Sequence, residues 1–193
     1  MSNFKIMREA FSKQPAFTIG DMGRLLGKKV SREYLSQLLH QLAKQKRIFR
    51  IRNGVYSFSD DSQMAGFAFR PFYYGLQDAL SLHGLWEQET NPVVITARKV
   101  RSGLRKFFGS NFVVRRVSKK MLFGSEPMKY GEYWIPVSTI EKTLIDMVYF
   151  RQHFTQELKT EFRKRADRKK LADLLERCPA WVRERVSKIV RIG

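Results

Sequence analysis

The sequence predicts an α+β protein in two parts, and three observations carry that reading. Over Met1 to Asp60, apolar residues recur at helical spacing and then switch to alternation around Asn53-Gly54. From Phe67 onward, short β-rich runs separated by Gly and Pro are interleaved with helical stripes, giving a small mixed α/β pattern. After Arg151 the chain returns to amphipathic helices rich in Arg and Lys. The turn-forming stretch Ser57-Phe58-Ser59-Asp60-Asp61-Ser62 breaks the first pattern, so the expected domains are 1–60 and 61–193, the latter ending in basic helices over about 151–193.

In the first part, Phe4, Met7 and Phe11 mark a helix starting from a possible Asn3 cap, and Pro15 ends it. Thr18 and Asp21 form a capping box for a second helix, with Phe17 and Met22 placed as a hydrophobic staple and Leu25 and Leu26 on the buried side. Gly20 and Gly23 each weaken that helix by about 1 kcal/mol relative to Ala, so it depends on tertiary packing, and Gly27 suits a left-handed stop. Ser31 caps a third helix, Val30 can staple to Leu35, and Glu33 sits near the positive dipole end. Leu35, Leu38, Leu39 and Leu42 form its apolar stripe. Arg32, Ser36, Gln37, His40 and Lys44 are left for the other side, with Tyr34 near the start.

Asn53-Gly54 predicts a two-residue type I′ turn pairing Arg52 with Val55, Ile51 with Tyr56, Arg50 with Ser57 and Phe49 with Phe58. One face is then Phe49, Ile51, Tyr56 and Phe58, expected to close on the helices, while Arg50 and Arg52 project outward beside Val55 and Ser57. Three helices followed by such a hairpin are the order of a winged helix-turn-helix. The fold class is therefore α+β: an N-terminal winged helix-turn-helix, then a small mixed α/β domain with C-terminal helices.

The second part begins with a helix carrying Leu76, Ala79 and Leu80 and ending at Gly84. Strands are expected at Val93 to Thr96 and Asn111 to Val117, with shorter ones near Met121 to Phe123, Lys129 to Tyr130 and Glu132 to Ile135. Ser138 and Glu141 are placed as a capping box for a helix with Ile140, Leu144, Met147 and Val148. Three further helices follow: one capped by Thr155, one capped by Asp167, and one started by Pro179 with the stripe Val182, Val186, Ile189 and Val190.

Charge sets the expected partner. The 193 residues hold 37 Lys+Arg against 18 Asp+Glu, a formal +19 with pI about 10.4. Met1 to Asp60 has 12 basic and 4 acidic residues (+8), Asp61 to Phe150 has 12 and 8 (+4), and Arg151 to Gly193 has 13 and 6 (+7). A polyanion is the favoured ligand; generic RNA affinity suits the charge almost as well, and double-stranded DNA is the expected partner, with Arg32, Ser36, Gln37 and His40 as base readers, Lys28, Lys29, Arg50, Arg52 and Asn53 as phosphate or wing contacts, and Ser31, Tyr34 and Lys44 on the same DNA-binding surface. The blander reading of the third helix is a solvated amphipathic face. For Arg163-Lys164-Arg165 with Arg168-Lys169-Lys170, a solvated charge run, DNA phosphates and an acidic protein surface all remain open.

Other classes find less support. One Cys and three scattered His give no zinc spacing and no internal disulfide. With no run of about 20 apolar residues and a charged first segment, the expectation is a cytoplasmic protein with no membrane partner. Phosphate loops, dinucleotide fingerprints and nucleophile elbows are missing, so neither catalytic residues nor a cofactor are expected. Two rivals stay open: a metal-dependent nuclease using Asp78, Glu87 and Glu89, and a winged helix that binds protein.

Two stretches carry a family resemblance: Tyr73-Tyr74 with Ala79-Leu80-Ser81-Leu82-His83-Gly84-Leu85, and Pro136-Val137-Ser138-Thr139-Ile140-Glu141-Lys142-Thr143-Leu144-Ile145-Asp146. Behind an N-terminal winged helix, they resemble the AbiEi-like antitoxins and transcriptional regulators of type IV (abortive infection) toxin–antitoxin systems. The resemblance spans most of Met1 to Phe150 and implies a non-catalytic repressor of its own promoter that opposes a cognate nucleotidyltransferase-type toxin. Glu141, Lys142 and Asp146 are read structurally, as a helix cap and ion-pair partners, and His83 as a packed or capping histidine.

Overall fold

The computed structural model describes residues 3–27 and 30–190 and is mixed α+β. The N-terminal part contains α1 (Asn3–Phe11), β1 (Phe17–Thr18), α2 (Ile19–Leu26), α3 (Arg32–Lys44), β2 (Phe49–Arg52) and β3 (Val55–Ser57). Its small sheet is antiparallel in the order β1-β3-β2. Met7, Phe11, Phe17, Met22, Leu35, Leu39, Leu42, Ile48 and Tyr56 form its core. Local chemistry sets the helix ends as expected. Thr18 Oγ1 accepts from Asp21 N–H while Asp21 accepts from Thr18 N–H, and Ser31 Oγ accepts from Tyr34 N–H at 3.2 Å. Gly27, at φ 79°, closes α2.

The hairpin departs from the expected register. Arg52 pairs with Val55 as predicted, but Arg50 pairs with Tyr56 and Phe49 with Ser57, so Ile51 is the extra residue of a β-bulge. The turn is not type I′ either, because only Gly54 of the Asn53-Gly54 pair has positive φ (76°). The Gly54 carbonyl accepts from Ile19 N–H at 3.2 Å, which ties the turn to the start of α2. A third strand explains the changed faces. With β1 on its other edge, β3 is central, and Val55, Tyr56 and Ser57 are all buried. Tyr56 packs with the helices as expected, whereas Phe49 and Ile51 pack on the core of the second part.

After the turn, Asp61 caps a buried 3₁₀ segment (Ser62–Phe69) by accepting from Gln63 N–H at 2.8 Å. A six-stranded mixed sheet follows: β4 (Phe72–Tyr74), β5 (Val93–Thr96), β6 (Gly103–Phe107), β7 (Ser110–Arg116), β8 (Ser125–Tyr130) and β9 (Tyr133–Ser138), in the order β6-β7-β5-β4-β9-β8. The helices are α4 (Leu76–Leu82), α5 (Ile140–Tyr149), α6 (Gln156–Arg165), α7 (Arg168–Leu175) and α8 (Ala180–Val190). The strand expected at Met121 to Phe123 is instead a 3₁₀ turn (Lys119–Met121), whose Met121 and neighbouring Phe123 fill the core without a strand partner. β4 and β6 were not anticipated: Phe72-Tyr73-Tyr74 reads as a lead-in to a helix, and Gly103–Phe107 is dominated by Arg and Lys.

Alternation along the strands divides the interior. Tyr73, Val93 and Ile95 face one core with α4 and α5–α8, while Phe72, Tyr74, Val94, Phe112 and Val114 face the 3₁₀ segment together with Phe49 and Ile51. Thus α5–α8 and the N-terminal part lie against opposite faces of the large sheet. Among the described residues, no helix is long and apolar enough to cross a membrane.

The motif around α5 is a structural lock. Thr139, one residue later than predicted, is the cap, accepting from Lys142 N–H, because Ser138 Oγ is engaged with Thr143 Oγ1 at 2.8 Å. Glu141 instead reaches across to accept from Asp167 N–H at 2.9 Å. Lys142 and Asp146 form an ion pair with fully buried side chains; Tyr73 donates its hydroxyl to Asp146 at 2.8 Å, and Phe123 lies 4.6 Å from the ammonium. His83 caps α4, its Nε2 being 2.7 Å from the Ser138 carbonyl.

Two stability measurements follow from these buried charges. Asp146→Ala leaves the Lys142 ammonium unpaired in the core and is expected to cost about 3–5 kcal/mol in urea unfolding. Asp78 is buried, accepts from Gln63 Nε2 and Val93 N–H at 3.1 Å each, and desolvation pushes its pKa up to about 7. The folded state therefore binds the proton more tightly than the unfolded chain, and Asp78 favours folding at low pH and loses that contribution as pH rises through about 7. Asp78→Asn is expected to stabilise the protein at pH 8, by at most about 4 kcal/mol, and to flatten the stability profile between pH 5 and 8.

Candidate nucleic-acid interface

The candidate surface is built on α3. Leu35, Leu39 and Leu42 are buried and Leu38 is half-buried, which fixes the rotation of the helix and leaves Arg32, Tyr34, Ser36, Gln37, His40 and Lys44 exposed. At 100° per residue, Gln37, His40 and Lys44 lie farthest from the leucine stripe, with Ser36 at their side and Glu33 among them. Arg32 and Tyr34 fall on opposite flanks. Tyr34 faces α1, where its hydroxyl accepts from Asn3 Nδ2 at 3.0 Å. The Ser31 hydroxyl serves as the cap described above. Lys28 and Lys29 lie outside the described residues.

On the hairpin, Arg50, Arg52 and Asn53 are all exposed. β2 keeps its alternation through the bulge, with both arginines outward and Phe49 and Ile51 inward. Arg50 sits opposite Tyr56, whose hydroxyl pKa is raised by burial, against the opposing pull of the Arg50 charge. Among the described residues, Arg32, Lys44, Arg50 and Arg52 form no salt bridge. Glu33 is the acidic side chain among them, and all four cations are exposed among the described residues.

Two cations beside α3 are missed by residue patterning. Lys46 and Arg47 are exposed in the turn from α3 to β2, and the Arg47 guanidinium lies 3.5 Å from the Phe4 ring centroid. The basic run Lys44-Gln45-Lys46-Arg47 is visible in the sequence and would have flagged them. The tip of the β6–β7 hairpin also reaches β2, where Phe108 packs edge-on against Phe49 at 4.8 Å between ring centroids. Phe108 and Gly109 both take positive φ (45° and 85°), so the type I′ geometry expected at Asn53-Gly54 occurs at this turn instead. The non-glycine member is held there by its packing against Phe49 and Phe107.

The candidate nuclease acids do not converge. Asp78 points into the core, whereas Glu87 and Glu89 are exposed. Among the described residues, no three His, Cys, Asp or Glu side chains gather as a metal-binding group. The basic residues at the end of α6 and the start of α7 are partly engaged in packing: Arg165 donates to the His83 and Gly84 carbonyls, Arg163 to the Ile189 carbonyl, and Lys170 pairs with Glu126.

No protein-family model and no curated protein sequence matches the chain. Its fold is similar to the crystal structure of the RV2827C protein from Mycobacterium tuberculosis, with a TM-score of 0.61 over 97% of this chain and 74% of that one, at 13% identity. At that identity the likeness concerns the fold alone.

The Phe49–Phe108 contact can be tested directly. A double-mutant cycle with Phe49→Ala and Phe108→Ala is expected to give a coupling of about 0.5–1.5 kcal/mol in chemical denaturation. Additive effects would mean that the β6–β7 hairpin is not held to β2 by this pair.

Proposed function

We propose that the N-terminal part is a winged helix-turn-helix that binds double-stranded DNA, with α3 in the major groove and the β2–β3 hairpin along the backbone. The observation that carries this reading is the exposed cationic surface on α3 and β2, where Arg32, Lys44, Arg50 and Arg52 form no salt bridge among the described residues. Phosphates are the ligands that such unpaired guanidinium and ammonium groups recognise with charge-assisted hydrogen bonds. Gln37 and His40 supply hydrogen-bonding groups on the outward strip of α3, and Glu33 an acceptor suited to a cytosine amino group. Arg50, Arg52 and Asn53 hold phosphates and fix the register.

The biological role that suits this activity is that of a non-catalytic transcriptional regulator acting on its own promoter. The sequence resemblance to AbiEi-like regulators extends the proposal to an antitoxin of a type IV system that opposes a nucleotidyltransferase-type toxin. That second role falls to the part after residue 61.

Fluorescence anisotropy on duplexes from the adjacent promoter, read across a salt series, tests the proposal. Binding is expected to weaken steeply with salt, and Arg52→Ala to weaken specific and random duplexes alike, reducing the salt slope by about 1. Gln37→Ala is expected to relax discrimination at one base pair by about 1–3 kcal/mol. A flat salt response would overturn DNA binding in favour of a protein partner.

A further inference from the structure

A second basic feature lies on the other side of the molecule, between α6 and α8. It is an open cleft of about 530 Å³, entered by Lys159 and Arg163 from α6 and by Arg185 and Lys188 from α8, with Gln152 and Gln156 at one end. Among the described residues, no carboxylate lines it. Among the described residues, none of the four cations forms a salt bridge, although six acidic residues follow Arg151 in the sequence.

The way α6 sorts its charges makes this arrangement specific. Leu158 and Phe162 bury one stripe of the helix, and its lysine and arginine at positions 159 and 163 flank the cleft. Glu157 and Glu161 line a separate groove on the opposite flank, beside Leu85 and Trp86. Four like charges converging on one concavity repel each other, and a carboxylate exchanged between the two flanks would relieve that repulsion. The Arg163 guanidinium is also preset, because its Nε–H is held by the Ile189 carbonyl at 2.8 Å while the remaining N–H groups stay available for a ligand.

We infer that this cleft binds a short run of phosphates, as found in the oligophosphate of a nucleotide or in free polyphosphate, at a site separate from the proposed duplex surface. The separation follows from the fold. The α6–α8 layer covers one face of the six-stranded sheet and β2 packs on the other, so a duplex lying along α3 and β2 has the whole sheet between it and the cleft.

Isothermal titration calorimetry of the full chain at low salt tests this, using inorganic tripolyphosphate and ATP as probes. Both are expected to bind, and Arg185→Gln with Lys188→Gln is expected to weaken them by about tenfold or more. A matched loss of two charges at exposed positions outside the cleft, Lys119→Gln with Lys120→Gln, is expected to leave affinity within about twofold. Equal affinity for both probes identifies phosphates alone as the ligand, and tighter ATP binding identifies a nucleotide; either supports the site. No heat with either probe, equal weakening by the two double variants, or displacement of tripolyphosphate by a saturating duplex would overturn it. Circular dichroism of each variant confirms folding, and the outcome is independent of whether the chain binds DNA.

Discussion

A four-residue strand has to serve two environments at once. Phe49 and Ile51 of β2 enter the core of the second part, while Arg50 and Arg52 remain in water. Strict alternation along β2 satisfies this, with an apolar side and a cationic side on one strand. The neighbouring β3 is central and buried, with Tyr56 committed to the helical core, and the pairing takes up one extra residue at Ile51. The hairpin is attached to the large sheet through Phe49 and Ile51.

The Phe49–Phe108 contact extends this arrangement. It docks the tip of the β6–β7 hairpin on β2, joining segments separated by more than fifty positions in sequence. Phe108 adopts a left-handed backbone that is unfavourable for a residue with a Cβ, and two ring contacts hold it there. Charge and packing thus meet at one strand: aromatic rings supply the attachment and arginines supply the exposed field.

Elsewhere the basic residues play a different part. Arg163 and Arg165 donate to carbonyls at the ends of α8 and α4, and Lys142 is buried against Asp146. A net charge of +19 therefore does not mean a uniformly cationic surface. Some cations stitch helices together, and others stand exposed on α3, on β2 and around the α6–α8 cleft.

Much of the local structure was legible in the sequence because it is written within a few residues. The caps at Thr18, Ser31, Thr155 and Asp167 and the leucine stripe of α3 each rest on spacings of three or four positions and form as read, whereas Gly27 ends α2 with positive φ but an extended ψ of 178° in place of the left-handed stop. The exposure of Arg32, Gln37, His40, Lys44, Arg50 and Arg52 follows from the same periodicity. What required the tertiary structure was every choice between partners. The sequence contains no mark that β1 would flank β3, that Ile51 would bulge, that Phe49 would prefer Phe108 to the helices, or that Thr139 would displace Ser138 as a cap. Those outcomes are decided by competition between distant groups for the same surface or hydrogen bond, and local periodicity carries no information about competitors that arrive from elsewhere in the chain.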